Sequence, residues 1–446
     1  MQRHLRGDVV LPHHAGYADA CRVFNAMIDK RPAAIAYCTS ADDVTAAVTF
    51  ARLHDVPLSV RAGGHNVAGC CVCDRGLVID VSRMKAISVD PDSRTARAGA
   101  GLKLGEFDAA TQRYDLATTM GVNTDTGIAG LTLGGGFGKL GRKYGLACDN
   151  LIAADVVTAD GHLVRASAEE NADLFWGLRG GGGNFGIVTA FEYRLHPFGP
   201  LMAKASLAYD FKNARDAMRA YHAFARAAPD AICADAALAR LPDAQPVFAF
   251  SLCHVGPREQ AENDIERALK AIRPAAKPLD ERITAAPYVE IQSASDSVLP
   301  PSRRYYWKAH FLREISDEAI DVLLDRYAAA PSLASLVVIQ HVGGAIARVP
   351  SNATAYAQRD AVFDCFPAAI WDDPADDETN IRWARDLWAA MQPFSSGGVY
   401  VNNLGEEGED RVKAAYRDNF PRLAALKRKY DPDNFFSLNQ NIKPAA

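Results

Sequence analysis

The sequence predicts an α+β protein of two domains, on three observations. The chain has 446 residues, more than one hydrophobic core ordinarily serves, so a division into domains is expected. Up to residue 197 it combines short β-branched runs with glycine-rich connections. From 198 glycine thins out, and long amphipathic helical patterns alternate with strands, which suits a sheet covered on one face by helices.

The elements follow in order. Ser40-Ala-Asp-Asp43 has the form of a capping box, with Val44, Ala47, Val48 and Ala51 on the apolar face of the helix it opens. Strands are expected over 57–61 and 77–81. A hairpin is expected at 87–98, where DPDSR supplies the turn, and further strands over 150–158, 163–166 and 185–195. In the second part, helices are expected over 212–227, 258–272, 316–329 and 377–391. Strands are expected over 246–253, 305–312, 335–341 and 398–404. After 405 the pattern is helical and basic, ending in DPDNFFSLNQNI.

Bulk properties narrow the function. Hydrophobic residues make up 49% and charged residues 23%, with a net charge of −5. That is the make-up of a soluble globular protein, and it favours neither nucleic acid nor an anionic membrane as partner. No apolar run resembles a signal peptide or a membrane span, so a cytoplasmic location is expected. Nine cysteines, an odd number, argue for reduced thiols rather than a disulfide framework.

Glycines and a histidine dominate the motifs. Gly136-Phe-Gly138-Lys-Leu-Gly141 and Gly181-Gly-Gly183-Asn-Phe-Gly186 both match G-x-G-x-x-G. A Rossmann site needs a long helix after the glycines. The first is followed by another glycine and a strand, and the second runs directly into a strand. These glycines therefore read as tight turns, or as backbone that approaches a large ligand and can cradle a pyrophosphate. His65, Cys70, Cys71 and Cys73 do not read as a zinc site: adjacent cysteines diverge in a strand, and no second ligand pair completes a tetrahedron. No metal is expected, and no G-x-S-x-G elbow is present.

R-A-G-G-H at 61–65 with CDRGLVIDVS at 73–82, GIAGLTLGGGFGKLGRKYGLACDN at 127–150, LFWGLRGGGGNFGIVT at 174–189, and Y-V-N at 400–402 with KYDPDNFFSLNQNI at 429–442 occur in order along nearly the whole chain. Together they resemble the FAD-linked oxidases of the vanillyl-alcohol-oxidase and p-cresol-methylhydroxylase (PCMH) type, in the berberine-bridge-enzyme branch. The resemblance implies an FAD-binding domain over 1–197, its PCMH-type part from about 31. It also implies a substrate domain over 198–404, whose antiparallel sheet roofs the isoalloxazine, and a segment 405–446 that returns to the FAD domain.

It implies site residues too. His65 would bond covalently to the 8α carbon of the flavin. Arg61, Ala62, Gly63, Gly64 and Asn66 would surround it. Asn123, Thr124, Gly127, Gly130, Leu131, Gly134, Gly135, Gly136, Gly138, Leu140 and Asn150 come from the second segment, Gly186, Ile187 and Val188 from the third, and Asn402, Asn439 and Asn441 from the last. Asn123 stands where many relatives have a second flavin-linking cysteine, so one link is expected, and Cys148 reads as a core residue. Tyr400 would take the substrate proton with Asn402 beside it, both on one face of the expected strand. A phenol can serve so if its pKa is lowered. Trp307, His310, His341 and Arg348 are further pocket candidates. The implied activity is oxidation of a small CH–OH or CH–NH substrate, with electrons passed to O2 as hydrogen peroxide. The alternatives are a dehydrogenase using another acceptor, and a silent flavin- or ligand-binding protein.

Overall fold

The computed structural model describes residues 5–446. Ser40 caps the helix Ala41–Leu53, its hydroxyl accepting from the Asp43 N–H. The reciprocal half of the expected capping box is absent. The Asp43 carboxylate instead accepts from the N–H groups of Arg6 and Thr39, at 2.7 and 2.8 Å, which ties the incoming chain to the helix start.

Three sheets lie in the first part, the smallest being the two-stranded antiparallel pair of Leu116–Ala117 with His196–Pro197. Ala34–Tyr37, Leu77–Asp80 and Leu58–Arg61 pair in parallel, with Val9–Val10 antiparallel at the edge. A five-stranded antiparallel sheet follows, in the order Ile87–Asp90, Thr95–Gly99, Ile187–Arg194, Leu151–Val157, Leu163–Ser167. Neither G-x-G-x-x-G stretch opens a long helix: the first meets the four-residue helix Gly141–Tyr144 and the second the strand Ile187–Arg194.

The second part is an eight-stranded antiparallel sheet. Its path runs Asp280–Pro287, Leu201–Asp210, Pro246–His254, Ile232–Arg240, Leu336–His341, Phe363–Trp371, Arg304–Trp307, and His310–Leu312 also pairs with Phe363–Trp371. The single strand expected over 305–312 is thus two, interrupted at 308–309. Four helices, Ala214–Ala227, Arg258–Ile272, Asp317–Ala328 and Asp377–Met391, cover one face, burying Tyr221, Ile265, Leu323 and Leu387 against Phe250, Ile339 and Trp371. Strand alternation sends Tyr305, Trp307, Phe366 and Ala368 to the other face, where they join the core of the first part.

The expected strand over 398–404 does not form. Residues 398–400 are irregular and Val401–Asn403 is one turn of 3-10 helix. After the helices Glu409–Tyr416 and Phe420–Tyr430, the tail is held by one buried cation. Lys427 Nζ pairs with Asp431 at 2.6 Å and donates to the carbonyls of Asn184 and Phe436 at 2.8 and 2.9 Å. This is the structural work of the DPDNFF stretch: Asp431 also accepts from the N–H groups of Phe435 and Phe436.

Candidate functional site

A cavity of about 370 Å³ lies between the glycine-rich loops, the uncovered sheet face and the C-terminal tail. Its floor is built by close backbone contact. Gly63, in R-A-G-G-H, abuts Gly127 at the start of the helix Ile128–Leu133. A Cβ on Gly127 would lie 2.6 Å from the Gly63 nitrogen, so neither position tolerates a side chain. Gly64 turns the chain with φ +68°, presenting His65 to the cavity.

The His65 ring stacks on Phe24 at 3.8 Å between centroids, and Phe24 stacks on Tyr305 at 4.5 Å. The Nε2 of His65 is buried without a hydrogen-bond partner. Desolvation lowers its pKa to about 4, so the imidazole is neutral at physiological pH and keeps a free lone pair.

Tyr400 stands at the same cavity. Its hydroxyl oxygen accepts from the Gly136 N–H at 2.9 Å and from Asn402 Nδ2 at 2.8 Å. With both acceptor positions filled, its own O–H is left to donate elsewhere. Burial raises the phenol pKa, and the two donors oppose that rise without reversing it. The expectation of a lowered pKa is not met by the polypeptide alone. The two residues meet through the 3-10 turn rather than by strand alternation, so Tyr400, Val401, Asn402 and Asn403 all reach the cavity. Gly134 makes room for the Asn402 amide: a Cβ there would overlap it.

The expected cofactor residues separate into two groups. Ala62, Gly63, Gly64, His65, Asn66, Asn123, Gly127, Gly130, Leu131, Gly186, Ile187, Val188, Asn402 and Asn439 line the cavity. The others stand behind it. Arg61 is buried in an ion pair with Asp80 at 2.5 Å. Thr124 is bonded to Asp296. Gly135, at φ +126°, lies against Tyr356 and Tyr400. Gly138 backs onto Met120 and Gly121, and Leu140 is buried with Ala117 and Phe198. Asn150 donates to the carbonyls of Tyr144 and Leu146. The Oδ1 of Asn441 is buried and unpartnered.

Of the four pocket candidates only Trp307 lines the cavity. His310 stacks on Trp388 of a covering helix at 4.8 Å and meets its carbonyl. His341 stacks on Phe363 and accepts the Ala234 N–H. Both lie on the helix-covered face, opposite in strand parity to the cavity residues Val338, Gln340 and Phe366. Arg348 pairs with Asp230 at 2.5 Å on the surface.

Sequence reasoning missed Gln340, Phe366, Asn403, Cys70 and Cys71, all of which line the cavity, whereas the stretch Gly182–Asn184, read as a turn or a ligand-approaching backbone, lines it too. It also missed Asp364. This carboxyl is fully buried, receives Asn403 Nδ2 at 2.6 Å on one oxygen and has no partner on the other. Burial pushes its pKa up to about 8. The signal was present: Asp364 is the only charged residue in FDCFPAAIW, the nine-residue buried strand Phe363–Trp371.

The cavity suits an FAD. Buried acceptors without partners, His65 Nε2 and Asn439 Oδ1, stand at lining residues. A Cβ on Gly130 or Gly183 would meet no atom within 4 Å, so both present open backbone to the cavity. Asn439 also holds the Gly183 carbonyl at 3.1 Å, joining the tail to that loop.

Comparison with known proteins agrees. Residues 32–167 match the family described as "FAD binding domain" and residues 399–443 the family "Berberine and berberine like". An FAD-linked oxidoreductase of Dictyostelium discoideum is 30% identical over 94% of this chain and 91% of its own. The (R)-6-hydroxynicotine oxidase of Paenarthrobacter nicotinovorans is 31% identical over 99% of this chain and 97% of its own. The crystal structure of 6-hydroxy-D-nicotine oxidase from Arthrobacter nicotinovorans superposes with a TM-score of 0.89 at 28% identity, covering 99% of this chain and 98% of that one. The chain therefore belongs to the FAD-linked oxidoreductases, in the branch that carries the berberine-like C-terminal segment.

Proposed function

We propose that this protein is an oxidase of a small CH–OH or CH–NH substrate, with its FAD bonded once, through His65, and with O2 as the final acceptor. The observation that carries the reading is the pair of groups sharing one cavity: the unpartnered, neutral His65 Nε2 and the Tyr400 hydroxyl, oriented by two donors. When bound, the flavin supplies the acceptor for the substrate hydride and passes the electron pair to O2, which with two protons gives hydrogen peroxide.

The polypeptide's part is orientation and proton movement. As the substrate C–H bond gives up its hydride, the O–H or N–H proton goes to Tyr400 Oη, and the Gly136 N–H and Asn402 Nδ2 hold the negative charge of the basic phenolate form. Asn123 accepts the Asp125 N–H and donates to the Leu299 carbonyl at 3.3 Å. It supplies no thiol, in keeping with a single link. The cysteines that do line the cavity, Cys70 and Cys71, have thiol pKa values raised by burial, which disfavours the nucleophilic thiolate.

A second reading of the proton acceptor has its own support. Asp364 does not itself line the cavity, but it stands behind the lining residue Asn403 with Oδ1 unpartnered, and its pKa near 8 lies closer to an operating pH than that of Tyr400. The pH dependence of anaerobic flavin bleaching separates them. With Tyr400 as base the rate climbs about tenfold per pH unit well beyond 8, because the phenol is still mostly protonated there. With Asp364 as base it levels off above about 8. Oxygen uptake matched by peroxide release across a substrate panel tests the oxidase reading. Flavin bleaching that is reversed only by another acceptor would make the protein a dehydrogenase. A flavin that no compound bleaches would make it a binding protein.

A further inference from the structure

Charge is missing from this cavity. Among the described residues that line it there is no Asp, Glu, Lys or Arg. Backbone N–H groups can hold a pyrophosphate without a cation, so the cofactor does not require one. The substrate end is where the absence has a consequence. There the sheet presents Trp307, Val338 and Phe366. Val338 and Phe366 are paired in register, and the Trp307 ring lies 5.9 Å from that of Phe366. Gln340, two residues beyond Val338 on the same face, is only partly buried, and its amide makes no hydrogen bond to any described residue. The NH2 groups of the other amides nearby are committed: Asn402 Nδ2 to Tyr400 and the Leu131 carbonyl, Asn403 Nδ2 to Asp364.

We propose that the substrate is an uncharged, ring-bearing alcohol or amine, its ring against Trp307, Val338 and Phe366 and a second polar substituent read by the Gln340 amide. The proposal rests on the oxidoreductase reading and narrows it. A carboxylate or ammonium in this cavity meets no counter-charge among the lining side chains, the nearby Asp364 carboxyl holding its proton up to about pH 8, and it loses its hydration. A saccharide brings many hydroxyls to a wall that offers only the Gln340 amide and the unpartnered Trp307 indole N–H, and each unpaired hydroxyl is penalised. A flat apolar ring buries its surface without either penalty. An amine substrate is accordingly taken in its neutral form.

The test uses the flavin-loaded protein and reads binding separately from turnover. Perturbation of the flavin absorbance is titrated with benzyl alcohol, para-(hydroxymethyl)benzamide, the near-isosteric para-(hydroxymethyl)benzoate, and D-glucose. The benzamide is expected to bind about tenfold more tightly than benzyl alcohol, the gain from a typical hydrogen bond. The benzoate is expected to bind at least roughly tenfold more weakly than the benzamide, and glucose to give no perturbation. Gln340→Leu should abolish the advantage of the benzamide over benzyl alcohol, and Gln340→Lys should invert the order of benzamide and benzoate. Flavin content shows that each variant is folded. Benzoate binding as tightly as benzamide, glucose binding more tightly than benzyl alcohol, or no perturbation by any aryl compound overturns the proposal. Aryl alcohols that bind in the expected order without bleaching the flavin anaerobically uphold the substrate class and count against the oxidase reading instead.

Discussion

The two faces of the eight-stranded sheet use similar residues to opposite ends. On the helix-covered face, His310 and His341 are packed against Trp388 and Phe363, and burial lowers the pKa of both. On the other face, Gln340 and Trp307 meet the cavity, while Asp364 sits fully buried, bonded to the lining residue Asn403. His341 and Gln340 are neighbours in sequence, yet one is enclosed by core and the other reaches the cavity. Chemical type does not mark a functional residue here. Strand parity does, once one face is known to be covered.

The contrast can be broken most sharply at Tyr400. Tyr400→Phe keeps the ring against Phe137 and removes only the hydroxyl. If that hydroxyl takes the proton, anaerobic flavin reduction falls about 10²- to 10⁴-fold with cofactor content retained and reoxidation little changed. A wild-type rate across pH would make Tyr400 a packing residue. Gly134→Ala should come next. Its Cβ overlaps the Asn402 amide, and displacing the group that orients Tyr400 should slow reduction by up to about a hundredfold. Stopped-flow traces at saturating substrate would show this as a fall in limiting rate rather than in affinity.

Asp364→Asn sharpens the comparison through pH. The folded state raises the carboxyl pKa to about 8, so it holds the proton more tightly than the unfolded chain. Unfolding therefore releases a proton, and the stability linked to Asp364 is lost as pH rises from about 4 through 8. The variant should lose less thermal stability than wild type between pH 6 and pH 8, and any inflection near 8 in its rate profile should vanish. Equal pH dependence in both proteins would place the titration elsewhere. The smallest effect is expected on the covered face. His310→Gln forfeits a stack with Trp388 and should lower stability by about 1 kcal/mol, yet leave the reductive rate within about twofold. A larger kinetic loss would show that the helix side communicates with the site.

Much of this was legible beforehand because it depends on local chemistry. R-A-G-G-H declares backbone that cannot carry side chains, and Gly63 against Gly127 shows why. The four covering helices appear where apolar periodicity placed them. What escaped depends on long-range pairing. The strands Leu201–Asp210, Ile232–Arg240 and Phe363–Trp371 do not stand out as strands by sequence pattern, the last because burial on both faces erases alternation. With Phe363–Trp371 unseen, Asp364 had no face and no neighbour. Residues 398–404 read as a strand because V-Y-V is β-prone, but the Asn402 amide bonds to Tyr400 Oη and the Leu131 carbonyl and the backbone turns instead.

On the proposed function, FAD lies in this cavity with its reactive end between His65 and Tyr400. The direct measurement is peptide mapping of the purified holoprotein after denaturation in acid. One flavin-bearing peptide is expected, containing His65, with the flavin lost from it in His65→Ala. Flavin released entirely by acid from the wild type, or found on Cys70, Cys71, Cys73 or Cys148, would contradict it.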